Sequence, residues 1–220
     1  VGSSYANLKA QLTNYSDPVA DGEYRIRIHT DDFAAMSPSV SPAGDVSFTG
    51  KLHYRNVPNE PLMRAVSLDG QLGSEVLRAV ASGKRVELRE LKGSYRLADG
   101  NLVVPNVSVQ AFGGSLTANA EMKHLDSTPE STVHAALNRI SLRAIQQMGG
   151  EQATRQAALS GTLSGKTDAA WKGSVKNLRA QSDLVIRAEA SSRSNPSARD
   201  VPVDGTLHFS YDGPRQSISV

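Results

Sequence analysis

Two short runs of this chain hold the residue types best suited to chemistry. Gly161 to Thr167 reads "GTLSGKT", which resembles the end of a phosphate-binding loop, where backbone amides and a lysine hold a phosphate at a helix N-terminus. That motif requires four residues between its first glycine and the Gly-Lys-Thr, whereas here three intervene, and the following "DAAWKGSV" reads as a strand. Both features argue against phosphate binding. His29 with Asp31 and Asp32 could form an acid–base or metal cluster, yet it follows the alternating run through Arg25 and Arg27, which makes it a solvated strand end. His53, His124, His134 and His208 are scattered without metal-ligand spacing. No nucleophile elbow, dinucleotide glycine fingerprint or pair of catalytic carboxylates stands out, so the expectation is a protein without catalysis, cofactor or metal.

Composition narrows the class further. With 39% hydrophobic residues, the 220-residue chain can fold, but only 5% are aromatic, so its apolar surface is mainly Val, Leu, Ala and Ile. Its 24 basic and 22 acidic residues are dispersed, which gives no stripe that would track phosphates and excludes nucleic acid as the expected partner. Cysteine is absent, so disulfides and thiolate metal sites are excluded. No run approaches the roughly 18 apolar residues of a membrane span. The start "VGSSYANLKAQ" lacks a signal layout and the end "SISV" falls inside a strand-like run, so the chain reads as a fragment of something longer.

The elements available to position any site are strands. Residues 23–29, 46–54, 85–97, 101–104, 159–165, 182–190 and 205–213 are β-rich runs, with Asp99-Gly100 and Asp212-Gly213 as turns. Helical spacing is confined to "EVLRAVASG" (75–83) and "SLRAIQQMGG" (141–150), the latter with Ser141 as N-cap. Residues 191–200 and 30–45 read as loops. The fold class that follows is mainly β, an elongated antiparallel sheet curled into an open apolar groove, with one or two short helices, forming a single unit over residues 1–220.

A loose repeat, apolar-x-Gly-x-apolar, centres on Gly50, Gly70, Gly93, Gly161, Gly173 and Gly205. Within a strand such a glycine shares a face with its apolar neighbours and costs up to about 1 kcal/mol against Ala, so either the sheet curls there or another body lies on the bare backbone. The bland alternative is a set of loop glycines at strand ends.

"VPNVSVQAFGGSLTANAEM" (104–122) sharpens this pattern. With Gly113-Gly114 as a two-residue hairpin loop, Ala111 faces Leu116, Val109 faces Ala118 and Val107 faces Ala120, while Gln110 and Ser108 face Thr117 and Asn119 on the other side. One side is purely apolar and small. Small residues on a concave face leave a lumen, and an open apolar lumen suits acyl chains, which gain about 0.8 kcal/mol per buried CH₂. The residues expected to line it are Val107, Val109, Ala111, Leu116, Ala118, Ala120 and Met122, with Leu207 and Phe209 further along.

Residues 140–190, "LADGNLVVPNVSVQAFGGSLTANAEM" (97–122) and "VPVDGTLHFSYDG" (201–213) resemble the repeating unit of the AsmA-like proteins and TamB, in which a short helical stretch precedes glycine-bearing strands. The match is one of pattern over residues 85–220; residues 1–84 fit it weakly, apart from "FTGKLHY". The resemblance implies a taco-like β-groove in the periplasm, tethered to the inner membrane by a segment outside these residues. It also implies phospholipid transfer toward the outer membrane and an outer-membrane barrel partner in the translocation and assembly module. A structural or adhesive β-fibre, and a β-edge chaperone capturing client strands, are the alternatives.

Overall fold

The computed structural model describes residues 3–14, 16–32, 40–81, 84–148, 158–188 and 200–220. Fourteen strands form in chain order: β1 (Tyr5–Thr13), β2 (Val19–His29), β3 (Val40–Arg55), β4 (Val66–Ala81), β5 (Lys84–Ala98), β6 (Asn101–Ala111), β7 (Gly114–Lys123), β8 (Glu130–Ser141), β9 (Ala158–Ser160), β10 (Thr162–Lys172), β11 (Arg179–Arg187), β12 (Asp200–Pro202), β13 (Gly205–Asp212) and β14 (Ser217–Ser219). Two helices, α1 (Leu62–Ala65) and α2 (Leu142–Met148), interrupt them. Twelve strands make one sheet in the order β1-β2-β3-β4-β5-β6-β7-β8-β10-β11-β13-β14, antiparallel throughout and open at both edges, and β9 pairs with β12 in a separate parallel couple. The mainly β, open architecture expected from the sequence is therefore present, and residues 1–84, where the family pattern is weak, continue the same sheet.

Alternation gives this sheet one apolar and one polar face. Registers propagate each face from strand to strand, so one row runs Ile26–Phe48–Leu72–Gly93–Val107–Ala118 and continues through Ala135, Thr167, Ser182 and Phe209. The phase slips at bulges, each of which adds one residue so that the apolar side chains stay together. β4 has one residue more than β3 between Gly73 and Leu77, and β5 one more than β6 between Arg89 and Lys92, where Glu90 takes a φ of 53°. β6 carries an extra residue between Val104 and Val107, at Pro105-Asn106, where a proline is tolerated because the ladder is already broken.

Several expectations are corrected. Residues 75–81 of the expected helix 75–83 are strand β4, because the bulge near Glu75 brings Val76-Leu77 and Ala79-Val80 into helical spacing; residues 82–83 lie outside the described residues. The expected loop 30–45 is strand from Val40 onward, pairing with β4, and residues 33–39 lie outside the described residues, as do 191–199 of the other expected loop. The run 159–165 divides into β9 and β10 at Gly161, and β11 ends at Arg187. α2 forms with Ser141 Oγ accepting from the Ala144 amide at 3.3 Å, as its N-cap position requires. Its Gly149-Gly150 stop lies outside the described residues.

The hairpin loop is also one residue earlier than expected. Phe112 (φ 52°) and Gly113 (φ 75°) are the two loop residues, both left-handed as a hairpin of this kind needs, and Gly114 already pairs with Ala111. Val109 therefore faces Leu116, Val107 faces Ala118 and Val104 faces Ala120, while Gln110 and Ser108 face Ser115 and Thr117. The physical reason is steric: a Cβ on Gly114 would lie 2.4 Å from the Asn138 carbonyl oxygen, so the tight strand position takes this glycine and leaves Phe112 to make the turn.

Candidate functional site

The shift in hairpin register is two residues, so faces are preserved. Val107, Val109, Ala111, Leu116, Ala118, Ala120 and Met122 all stand on the apolar face, and Leu207 and Phe209 reach the same face through β8, β10 and β11. Val109 and Ala111 are buried, at 8% and 6% exposure, and the other seven are half-buried. In the row that carries Val107 and Ala118, the Thr167 and Ser182 hydroxyls meet at 2.9 Å, so the polar atoms on that part of the face satisfy each other.

A separate hollow lies elsewhere on the same face. A cavity of about 580 Å³ spans β1 to β6, its walls including Leu8, Ile26, Phe48, Leu68, Leu102 and Val104. None of the nine expected lining residues borders it. Its floor explains the first half of the glycine repeat. Tyr24 on β2 and Tyr95 on β5 reach toward each other across β3 and β4, and their hydroxyls meet at 2.6 Å. A Cβ on Gly50 would sit 2.3 Å from the Asp69 carbonyl oxygen and 2.5 Å from the Tyr24 hydroxyl, and one on Gly70 would sit 2.5 Å and 2.7 Å from the two hydroxyls and 2.8 Å from the Thr49 carbonyl oxygen, so neither strand can carry a side chain there. The bodies lying on the bare backbone are the protein's own tyrosine pair and the neighbouring strand's carbonyl oxygens. Phe48 adds an edge-on contact to Tyr95, with centroids 6.1 Å apart. Burial, foremost, and the neighbouring Tyr95 hydroxyl push the Tyr24 phenol well above its ordinary range, so it stays protonated.

Gly93 belongs to the same set, since a Cβ there would lie 2.9 Å from a Val107 methyl. The other three glycines of the repeat follow the bland alternative. Gly161 lies between β9 and β10, Gly173 follows the end of β10 with φ 67°, and Gly205 begins β13 with nothing within 4 Å of its would-be Cβ.

The opposite face is polar and has its own hollow of about 1300 Å³ across β3 to β10, bordered by Ser47, Thr49, Gln71, Asn106, Thr117 and Asn119. A wide twisted sheet presents a concavity on each side along different diagonals. Val107 and Ala118 also border this hollow, although by alternation their side chains point to the apolar face. Ion pairs cross the polar face, among them Arg96–Asp69 at 2.8 Å and Lys172–Glu130 at 2.5 Å. Arg78 and Arg89 hold the Glu87 carboxyl below its usual range through hydrogen bonds, and Lys172 does the same for Glu130.

Four histidines have aspartate partners directly opposite in the ladder: His29 with Asp45, His53 with Asp21, His134 with Asp168, and His208 with Asp183. His29 thus pairs with Asp45, while Asp32 accepts from the Ser4 hydroxyl, which lowers its pKa. Such pairs on a solvated face contribute little stability. They are invisible in sequence because each depends on a register, not on a spacing. Among the described residues no group of three or more His, Cys, Asp or Glu could hold a metal ion, and no helix is long and apolar enough to cross a membrane. "GTLSGKT" runs into strand β10, with no helix N-terminus after Lys166.

Comparison of the chain with protein-family models, with curated proteins and with solved structures found no match.

Proposed function

We propose that the apolar face of the sheet is a groove that carries the acyl chains of phospholipid, without catalysis. The observation that supports this most is the continuity of that face: every strand of the twelve-stranded sheet adds to it, and it remains open at both edges, with Leu8 58% and Ile218 63% exposed. An apolar surface of that extent requires an occupant, and acyl chains need no specific polar contacts to gain from burial. The cavity over β1 to β6 falls within the ordinary range for small-molecule sites of about 300–1,000 Å³. Periplasmic placement, an inner-membrane tether outside these residues, transfer toward the outer membrane and a barrel partner belong to the same proposal, on the strength of the sequence resemblance alone.

The test is to purify the chain without detergent, extract it with organic solvent and assay for phospholipid. Co-purified phospholipid that is lost in Leu72→Glu supports the groove, because an unpaired charge on its floor repels acyl chains. A protein that carries no phospholipid and takes none from vesicles contradicts it.

A second reading, capture of a client strand, has one observation in its favour. β1 is nine exposed residues long, and its outer edge has no partner strand among the described residues. Client capture at that edge would survive Leu72→Glu, which separates the two.

A further inference from the structure

We propose that the Tyr24–Tyr95 hydroxyl couple is the anchor at which the apolar cavity holds the carbonyl oxygen of an ester-linked acyl chain. This rests on the reading of the apolar face as an acyl-chain groove and names the polar contact that positions the chain within it.

Hydroxyl arithmetic carries the inference. Two phenols bring two protons, and their mutual hydrogen bond at 2.6 Å uses one. Neither hydroxyl has another hydrogen-bond partner among the described residues. One proton is left, in a cavity walled by side chains such as Leu52, Leu72 and Leu102; Asn7 also borders it, but opposite Arg25 its side chain points to the other face. An unmatched donor in apolar surroundings costs free energy until an acceptor arrives. An acyl chain that fills this cavity brings one oxygen of the right kind, the carbonyl at its head.

The surroundings also select between the two sources of that oxygen, an ester and a free carboxylate. Tyr24 is 9% exposed, and besides that burial and the Tyr95 hydroxyl, the Asp69 carboxylate on β4, beyond β3, adds the least of the causes that keep this phenol protonated. The same burial and field that disfavour a phenolate disfavour a bound carboxylate. A neutral ester carbonyl accepts the spare proton without that penalty. The glycines beneath are part of the device: Gly50 and Gly70 let the two hydroxyls lie against the bare backbone at the base of the cavity.

The experiment compares equilibrium binding of the 220-residue chain to three probes of matched chain length: a short-chain phosphatidylcholine with ester links, its diether analogue, and the free fatty acid. One neutral hydrogen bond corresponds to about fivefold in affinity, so the ester is expected to bind about fivefold tighter than the ether. The fatty acid is expected to bind no tighter than the ether. In the double variant Tyr24→Phe/Tyr95→Phe the ester preference disappears while ether binding persists. The tyrosine near-ultraviolet difference spectrum of the unmodified chain should shift with the ester and not with the ether, a readout that needs no variant to fold. Equal binding of ester and ether, an ester preference that survives the double variant, or a preference for the free acid would overturn the anchor while leaving the groove standing. Failure to bind any of the three probes would remove both.

Discussion

Between Leu8 and Val104 the apolar face has a floor of glycine under two tyrosines, whereas between Val107 and Phe209 it has a floor of alanine, threonine and serine. Both devices keep side chains low on one side of a sheet. They do so differently: the first removes the side chains of β3 and β4 so that larger ones from β2 and β5 can lie flat, while the second shortens every side chain in the row. The tyrosine region leaves a cavity with a polar point at its base, and in the alanine region the Thr167 and Ser182 hydroxyls satisfy each other while the buried Ser131 hydroxyl, opposite Met122, has no partner among the described residues. On the proposed reading, the small-residue stretch would pass an acyl chain and the tyrosine stretch would position it.

The most severe way to break this comparison is to fill the glycine floor. Gly70→Val places a branched side chain against both hydroxyls and against the Thr49 carbonyl oxygen at 2.8 Å, and is expected to lower stability by about 3 kcal/mol in urea unfolding. Gly205→Val, with nothing within 4 Å of its Cβ, should stay within about 0.5 kcal/mol. Equal effects would show that the repeat glycines share one role.

Next in size is the contrast between the middle and the edge of the face. Val109→Ala should cost about 1–2 kcal/mol because Val109 is 8% exposed, while Leu8→Ala at 58% exposure should cost almost nothing until a ligand is bound. Paired unfolding curves with and without phospholipid measure both.

Phe112→Asn should raise stability by about 1 kcal/mol, since Phe112 holds a left-handed φ of 52° that asparagine adopts more readily. A loss of stability would show that the Phe112 side chain contributes more by packing than its backbone costs.

The smallest effects are electrostatic. Tyr24 is raised in the folded state, so its contribution is complete below the ordinary tyrosine range near 10 and is lost as pH rises through the folded value, giving alkaline unfolding that Tyr24→Phe moderates. Glu87 is lowered by Arg78 and Arg89, so its contribution is present above the ordinary carboxylate range and is lost as pH falls through the folded value. Acid titration of Glu87→Gln beside the unmodified chain should show a slightly shallower loss.

How far the sequence disclosed this architecture varies along the chain. Period-2 patterning placed β2, β5, β7 and β13 and set the nine residues expected to line a groove on one face, because a face survives any even error in register. Bulges hid the rest. The extra residue near Glu75 made β4 imitate a helix, and β8, "ESTVHAALNRIS", changes phase at Arg139, whose φ is 54°. The tyrosine pair could not be foreseen from spacing, since Tyr24 and Tyr95 meet only once three registers are known. A signal was nonetheless present: Gly50 and Gly70 stand at the same place in the repeat, and the ladder sets them directly opposite each other.

The central claim, that acyl chains lie on the apolar face, is tested most directly by photo-crosslinking at adjacent residues. A benzophenone side chain placed at Leu72 points by alternation to the apolar face, in the row of Phe48, and one at Gln71, its chain neighbour, points to the polar face with Thr49. With phospholipid vesicles, the account predicts lipid adducts from position 72 and none from position 71. Adducts of equal yield at both positions, or at position 71 alone, would contradict it.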